Sequence, residues 1–535
     1  MTYALRRDAL PLLGIVALYL LFTLPRAVAI VHYDPDVVEN LDIIRHLAAG
    51  DGFVSTFRTY FFGPEGFPQP PQLIRPILYP LLVWPLYAAA PGLLGLQLLG
   101  FALGALNLLL LHGVLRPWVP RAVALGAPAV LAVMWIYGRN HVYALPEPLS
   151  LTFPLLALWV AAPPQSARRS APLLLGLLLG LSFLAKPATL ALLPVLLAYD
   201  LWCNPAHRRP LPLLAVAAGL LLCWLPLLRL NLLYGLSPFY ASAGAQFTVF
   251  HPLEMMWDGF DRPPSPPAAE FVARYWRSIA ASVVRNYRDN VALVISTGGL
   301  AYLLAIAGPA VLLWRRRGMP RVQAAFLALA VMNFLFYSSK WSPSEERRYL
   351  LVSVVFAVPP LLGALHGLLA EAGPRTLRGR VNAYGAALAV VVACYAFQTL
   401  YDVRETVGLW RRGVQLRGGA NQDVEEDPDF RAAVAAARPH LASGDVVTAS
   451  EPWIWGYLTA QPYVILPSDL SRADLERLLE LYDVRLVALN FQHQPPDAAN
   501  RAYPEWLAAR RGVRHLRERS YDLFFLPRAT DPPRR

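Results

Sequence analysis

Charge is what this 535-residue chain has least of. Asp, Glu, Lys and Arg make up 16% of it, against 56% for hydrophobic residues, whereas about a quarter of a soluble domain is charged. That balance excludes an ordinary soluble enzyme and a disordered chain. Lysine is nearly absent: of 48 basic residues only Lys186 and Lys340 are lysines. The arginine excess therefore reads as a compositional bias. The net charge of +12 does not mark a nucleic-acid binder, because the basic residues sit in short loops between apolar runs, as in a membrane protein with positive inner loops. Cysteine is scarce too. Cys203, Cys223 and Cys394 lie in or beside apolar runs and form no CxxC pair, which excludes a zinc ribbon and a disulfide framework and leaves core packing.

What the chain does have is a succession of apolar runs. A membrane helix needs about 20 such residues. Residues 9–31, 93–115, 121–138, 147–163, 171–186, 187–203, 211–229, 291–314, 321–337, 350–370 and 381–400 qualify or come close. Arg6/Arg7, Arg116/Arg121, Arg168/Arg169, Arg208/Arg209, Arg315/Arg316/Arg317 and Arg375/Arg378/Arg380 then fall on one face, the cytoplasmic one by the positive-inside rule. This puts the N-terminus inside, and loops 32–92, 139–146, 230–290 and 338–349 outside. Residues 76–90, short and carrying Pro76, Pro80 and Pro85, read as a re-entrant or interfacial segment. Ala27-Val28-Ala29 resembles a signal cleavage site, but the run extends to residue 31, long for a signal core, so a retained first helix is expected.

Residues 402–535 differ in kind. They hold 19 of the 36 acids and 18 of the 48 basic residues, so a boundary is expected near 402, between a membrane domain (1–401, with an outer loop 32–75) and an extracytoplasmic domain. Apolar strands at 445–449, 463–466 and 484–489, and a strand pair within 514–527, alternate with helical stretches. That pattern predicts a small α/β domain. Ser471 and Asp474 form a capping signature for a helix over 472–482, Gly413–Gly419 reads as a linker, and Trp453 and Trp455 belong in the core. No GxGxxG, P-loop or GxSxG occurs in this part.

The residues suited to chemistry gather in the outer loops. His32, Asp34 and Asp36 follow the first apolar run, and acids at a membrane boundary are costly unless solvated or used. Residues 37–49 predict an amphipathic helix, with Asp34 or Asp36 as its cap and Gly50 as its stop. Arg75 precedes the apolar segment 76–90, Glu147 opens an apolar run, and Lys186 interrupts the stretch 171–203. Each has a plain reading: interfacial anchor, helix N-terminal acid, snorkelling lysine. The aromatics Tyr234, Tyr240, Trp257, Tyr275, Trp276 and Tyr287, with Arg274, Arg277 and Arg285, read as a membrane belt.

Taken in order, these motifs resemble the GT-C glycosyltransferases, in particular the bacterial branch related to protein O-mannosyltransferases and lipid A aminoarabinose transferases. The acids of the first outer loop lead to a helix ending Ala-Ala-Gly-Asp-Gly-Phe (48–53). Arg75-Pro-Ile-Leu-Tyr-Pro80 is like the family's Arg-Pro-Pro-Leu-Tyr-Pro. Pro146-Glu147-Pro-Leu matches its acid before a membrane helix, GLLLGLSFLAKP (176–187) its Gly-rich helix ending in a cation, and Arg347-Arg348-Tyr349 its motif before a late helix. The resemblance spans roughly 30–370. It departs at Pro35, which separates two acids that are often adjacent, so the base is Asp36 or Asp34, with Asp36 fitting better when counted back from Gly50. It departs again at Ile77, where a second proline is usual.

The resemblance implies a polytopic α-helical membrane protein of the GT-C type, about 11–13 transmembrane helices in all, that moves a sugar from a polyprenyl-phosphate carrier to an acceptor hydroxyl. The acceptor is a lipid, a glycan or a protein; the membrane is the cytoplasmic one, and transfer occurs at its outer face. In this reading Asp36 (or Asp34) takes the acceptor proton. Arg75, Lys186 and Arg348 bind the donor phosphate, Glu147 orients the acceptor or helps bind a metal, and the anomeric centre inverts. No cofactor is certain from these residues; His32, Asp34, Asp36 and His46 supply ligand types that allow a divalent metal, although their spacing matches no fixed metal motif. The competing readings are a transporter or flippase for lipid-linked saccharide, against which stands the lack of a clear internal repeat, and a non-catalytic envelope assembly protein.

Overall fold

The computed structural model describes residues 2–29, 35–58, 76–163, 165–235, 268–297, 319–338, 351–372, 377–411, 428–449, 452–467, 470–490 and 502–527. His32, Asp34, Arg75, Arg347, Arg348, Tyr349, most of loop 230–290, the linker 413–419 and residues 298–314 of the expected span 291–314 lie outside them. The chain forms two compact units. One comprises Met1–Ile30, Gly92–Arg229 and Ala280–Leu416; the other Val31–Pro91, Leu230–Ile279 and Arg417–Arg535.

The first unit is helical: α1 (Thr2–Ala29), α4 (Leu93–Leu115), α5 (Arg121–Val133), α6 (Trp135–Val142), α7 (Glu147–Ala161), α8 (Ala171–Ala185), α9 (Leu193–Cys203), most of α10 (Pro210–Leu233) and of α11 (Ala268–Thr297), α12 (Arg321–Ser338), α13 (Leu351–Ala372) and α14 (Leu377–Arg411). Among the described residues six helices are long and apolar enough to cross a membrane, within α1, α4, α10, α12, α13 and α14. The expected span 121–138 is instead two helices, α5 and α6, meeting at 64° because Met134 between them is extended. The expected spans 147–163, 171–186 and 187–203 are shorter apolar helices. At 15 residues α7 rises about 22 Å, less than the roughly 30 Å hydrocarbon layer. It is buried along nearly its whole length, so its ends meet protein, where a short membrane helix is tolerated.

Small residues let α8 and α10 touch backbone to backbone. A Cβ on Gly176 would lie 2.1 Å from the Val216 carbonyl oxygen, one on Gly180 2.5 Å from Cys223 Cβ, and one on Gly219 2.5 Å from the Leu173 carbonyl oxygen. Such contacts drive association in lipid, where apolar burial gains nothing. Cys223 thus serves packing, as expected.

The charged ends agree with the arginine pattern. The buried Asp8 carboxylate accepts Arg116 Nε at 2.8 Å and Arg121 Nε at 2.5 Å, with His112 Nε2 at 3.3 Å, and Arg121 Nη2 donates to the Arg7 carbonyl oxygen. A second cluster joins Asp200 to His207 at 2.9 Å and, through Asn204, to the end of α7 at Ala161. Helices α4 and α7 run alongside each other with the same sense, Asn107 bonding Thr152 and Gly113 lying by Trp159. The two clusters therefore mark one end of the unit.

The second unit holds α2 (Pro35–Ala49), α3 (Leu78–Ala89), α15 (Pro428–Ala437), α16 (Pro452–Thr459), α17 (Arg472–Leu481), α18 (Tyr503–Ala508) and a six-stranded sheet. The strands are β1 (Phe57–Arg58), β2 (Val446–Ala449), β3 (Tyr463–Ile465), β4 (Val484–Asn490), β5 (Arg514–Glu518) and β6 (Tyr521–Phe525), in the order β1-β3-β2-β4-β6-β5. The first four are parallel; β6 and β5 are antiparallel. Side chains alternate across β6: Tyr521, Leu523 and Phe525 join Phe430 and Trp455 on one face, while Phe524 joins Leu478 and Tyr503 on the other. Ser471 caps α17, its Oγ accepting from Asp474 N at 3.2 Å.

Two boundaries differ from the sequence reading. Helix α14 runs unbroken past residue 402 to Arg411, so the step from apolar to charged residues at Asp402 falls inside a helix. And the first outer loop packs with the tail, since β1 adds to the sheet edge in register Phe57↔Tyr463.

Candidate active site

Helix α2 starts at Pro35, so Asp36 stands inside its first turn and is not its cap. There the helix dipole favours a carboxylate. Asp36 is half-buried, and its carbonyl oxygen accepts Asn40 Nδ2 at 2.6 Å. The helix is covered on more than the one apolar face expected: Glu39, Asn40 and Asp42 are buried with Val37, Val38, Leu41, Ile43 and Ile44. It ends as predicted at Gly50, φ +87°.

Asp42 was not anticipated. Its buried carboxylate accepts Thr56 N at 2.7 Å, Ser55 Oγ at 2.8 Å and Thr56 Oγ1 at 2.9 Å, with His46 Nε2 at 3.6 Å. The other ring nitrogen of His46 lies 2.9 Å from Asp51 Oδ2. Burial raises the Asp42 pKa above its ordinary 3.8, opposed by His46, Thr56 and Ser55. The i, i+4 spacing of Asp42 and His46 was the available signal, but Ser55 and Thr56 carry no motif.

In the helical unit the structure joins two residues 39 positions apart. Lys186 Nζ donates to Glu147 Oε1 at 2.7 Å, with both side chains largely buried. Lys186 stands at the break between α8 and a short 3-10 turn, Pro187–Leu192, where Thr189 Oγ1 bonds its carbonyl oxygen. Its ammonium lies 6.0 Å from the Tyr337 ring centroid. Glu147 opens α7, whose start is held by Asn107 Nδ2 donating to the Pro148 carbonyl oxygen at 3.1 Å. Near by, Arg139 lies over the Trp135 and Tyr143 rings, at 4.9 and 5.3 Å, and bonds the Tyr143 hydroxyl. Sequence reasoning did not single out this arginine; its i+4 spacing to both aromatics was the signal.

Among the described residues no group of three or more His, Cys, Asp or Glu could hold an ion; His32 and Asp34 of the expected set lie outside them. Asp36 and His46, ten residues apart on one helix, are separated by about 15 Å of rise and cannot share one.

No family model matches the chain and no curated protein matches it. Solved structures do. The crystal structure of ArnT from Cupriavidus metallidurans bound to undecaprenyl phosphate matches over 97% of this chain and 98% of its own, with a TM-score of 0.54 and 13% identity. The archaeal oligosaccharyltransferase AglB from Archaeoglobus fulgidus, in complex with an inhibitory peptide and a dolichol-phosphate, matches over 97% and 75%, with a TM-score of 0.56 and 13% identity. Both are GT-C glycosyltransferases. This chain has the GT-C fold. Another A. fulgidus oligosaccharyltransferase structure, a complex with Zn and sulfate, shares that fold at TM-score 0.51 and 14% identity over 93% of this chain and 69% of its own. Within the GT-C fold of this chain, Asp36 and Glu147 each stand in the first turn of a helix.

Proposed function

We propose that the chain is a membrane glycosyltransferase that moves a sugar from a polyprenyl-phosphate carrier to an acceptor hydroxyl at the outer face of the cytoplasmic membrane. The observation that carries this reading is the GT-C fold over 97% of the chain, shared with proteins bound to undecaprenyl phosphate and to a dolichol-phosphate. The buried Lys186–Glu147 pair supports it, since a cation held in a low-dielectric site suits a phosphate leaving group.

In this mechanism the acceptor oxygen attacks the anomeric carbon and its proton passes to the Asp36 carboxylate, a general base. The bond from the anomeric carbon to the phosphate oxygen breaks, and the electron pair leaves on the lipid phosphate. Lys186, with Arg75 and Arg348, balances the charge that grows there. The phosphate then competes with Glu147 for the Lys186 ammonium, which frees Glu147 to hold the acceptor. One displacement inverts the anomeric centre. Asp34 is the other candidate for the base, and no step here runs through a metal.

The test is transfer from a panel of radiolabelled polyprenyl-phosphate sugars by membranes carrying the wild-type chain, Asp36→Asn or Asp34→Asn. Loss of transfer in Asp36→Asn at unchanged protein level supports the reading. Loss in Asp34→Asn alone moves the base to Asp34. Absence of transfer from every donor, with acceptor-rich envelope extract supplied, overturns it in favour of transport.

A further inference from the structure

Thr56 is a hub. Its N–H and hydroxyl both bond Asp42 on α2, and its carbonyl oxygen accepts Tyr463 N at 3.2 Å, the first rung between β1 and β3. The Phe57 ring then packs on the Tyr463 ring, centroids 4.3 Å apart. Gly456 of α16 makes room: a Cβ there would lie 2.3 Å from Tyr463 Cδ1 and 3.1 Å from Phe57 Cε1. Helix α16 also packs against α2. So α2 is bonded to the sheet of the tail through one residue and leans on a tail helix as well.

Asp42 lies six residues after Asp36. That is about 9 Å along the helix and a third of a turn around it, so Asp42 does not reach the atoms Asp36 would serve. Its three neutral donors satisfy a buried carboxylate that is otherwise costly.

We infer that Asp42 is a positioning residue for the transfer reaction: through Thr56 it splints α2, and with it Asp36, to the sheet of the C-terminal part. The tail is then an integral part of the catalytic apparatus. This rests on the proposed role of Asp36. An Asn at position 42 satisfies the same lock, its Oδ1 accepting from Thr56 N and Ser55 Oγ while its Nδ2 donates to the Thr56 hydroxyl. An Ala satisfies none of it.

The experiment uses the purified full chain in nanodiscs, as wild type, Asp42→Ala, Asp42→Asn, Thr56→Val and Ser471→Ala. The last removes the cap of α17 in the same unit, remote in sequence from α2, and controls for general loosening. Hydrogen exchange is followed over residues 38–45, and kcat and KM are measured with a polyprenyl-phosphate sugar. Asp42→Ala should speed exchange over 38–45 at least tenfold and lower kcat about tenfold with donor KM within twofold. Thr56→Val should do the same more weakly, Asp42→Asn should restore both, and Ser471→Ala should move neither. Asp42→Asn as impaired as Asp42→Ala would overturn the inference, since the charge itself would then matter. So would unchanged exchange in Asp42→Ala, or equal effects from Ser471→Ala. Should Asp42→Ala not accumulate, Thr56→Val against Asp42→Asn decides. A wild type without transfer sinks the proposed reaction, while the exchange arm still tests the splint.

Discussion

Two buried aspartates, one in each unit, are held in opposite ways. Asp8, among the membrane helices, is surrounded by cations: two arginine Nε groups and a histidine. Asp42, in the α/β unit, is surrounded mainly by neutral donors, two hydroxyls and an amide. At a membrane end the arginines are placed by topology, and a carboxylate there relieves their mutual repulsion. In a soluble-type core nothing demands a charge, and hydrogen bonds suffice. Charge is the requirement at Asp8, geometry at Asp42.

The comparison breaks most sharply with asparagine at each site. Asp8→Asn leaves Arg116 and Arg121 facing each other beside a neutral amide. Breaking a buried pair costs about 3–5 kcal/mol, and because these arginines reach solvent the lower end applies. The expected outcome is a clear fall in folded protein recovered from membranes, read by detergent size-exclusion profiles, whereas Asp42→Asn should elute like wild type. Equal profiles would erase the distinction. Next in size, Gly176→Ala drives a methyl onto the Val216 carbonyl. Overpacking of this kind costs about 1–3 kcal/mol, so the apparent melting temperature in detergent should drop, with Gly14→Ala, which meets nothing within 4 Å, as the neutral partner.

Smaller still is the effect at another buried acid, Glu147. Glu147→Gln keeps the shape but removes the charge opposite Lys186. On the proposed reading a phosphate no longer competes with a carboxylate, so inhibition by free undecaprenyl phosphate should tighten about tenfold, equivalent to ~1.4 kcal/mol. Unchanged or weaker inhibition would mean that Lys186 does not meet the phosphate.

Much of this was legible because the signals were periodic or charged. The long apolar helices, the charged clusters at one end of the helical unit, the strand and helix pattern of the tail and the Ser471 cap all followed local rules that tertiary contacts did not override. The bend at Met134 has no proline or glycine at the joint to announce it. The annexation of the first outer loop by the tail was invisible, because β1 is two residues long and its partner lies 406 positions away at Tyr463. Of the site, the candidate acids and cations could be named singly, but the Glu147–Lys186 contact, between residues 39 positions apart, came only from the structure. Of Asp42 only its i, i+4 spacing to His46 could be read, since its bonds to Ser55 and Thr56 have no sequence signature.

The finest test of the comparison is pH. Burial raises the folded-state pKa of Asp42 above the ordinary 3.8. A raised carboxyl pKa means the folded state binds the proton more tightly than the unfolded one. The resulting stabilisation is complete below pH 3.8 and is lost as pH rises through the folded value. At Asp8 the carboxylate sits against two guanidinium groups instead of neutral donors. In Asp42→Asn the pH-dependent contribution vanishes. The difference in apparent melting temperature between wild type and Asp42→Asn should therefore shift against wild type as pH is raised from 4 to 7, and flatten once Asp42 is ionised. A difference independent of pH, measured by tryptophan fluorescence in nanodiscs, would mean that the hydrogen bonds from Thr56 and Ser55 offset burial in full, and that the two aspartates are alike in being held as anions.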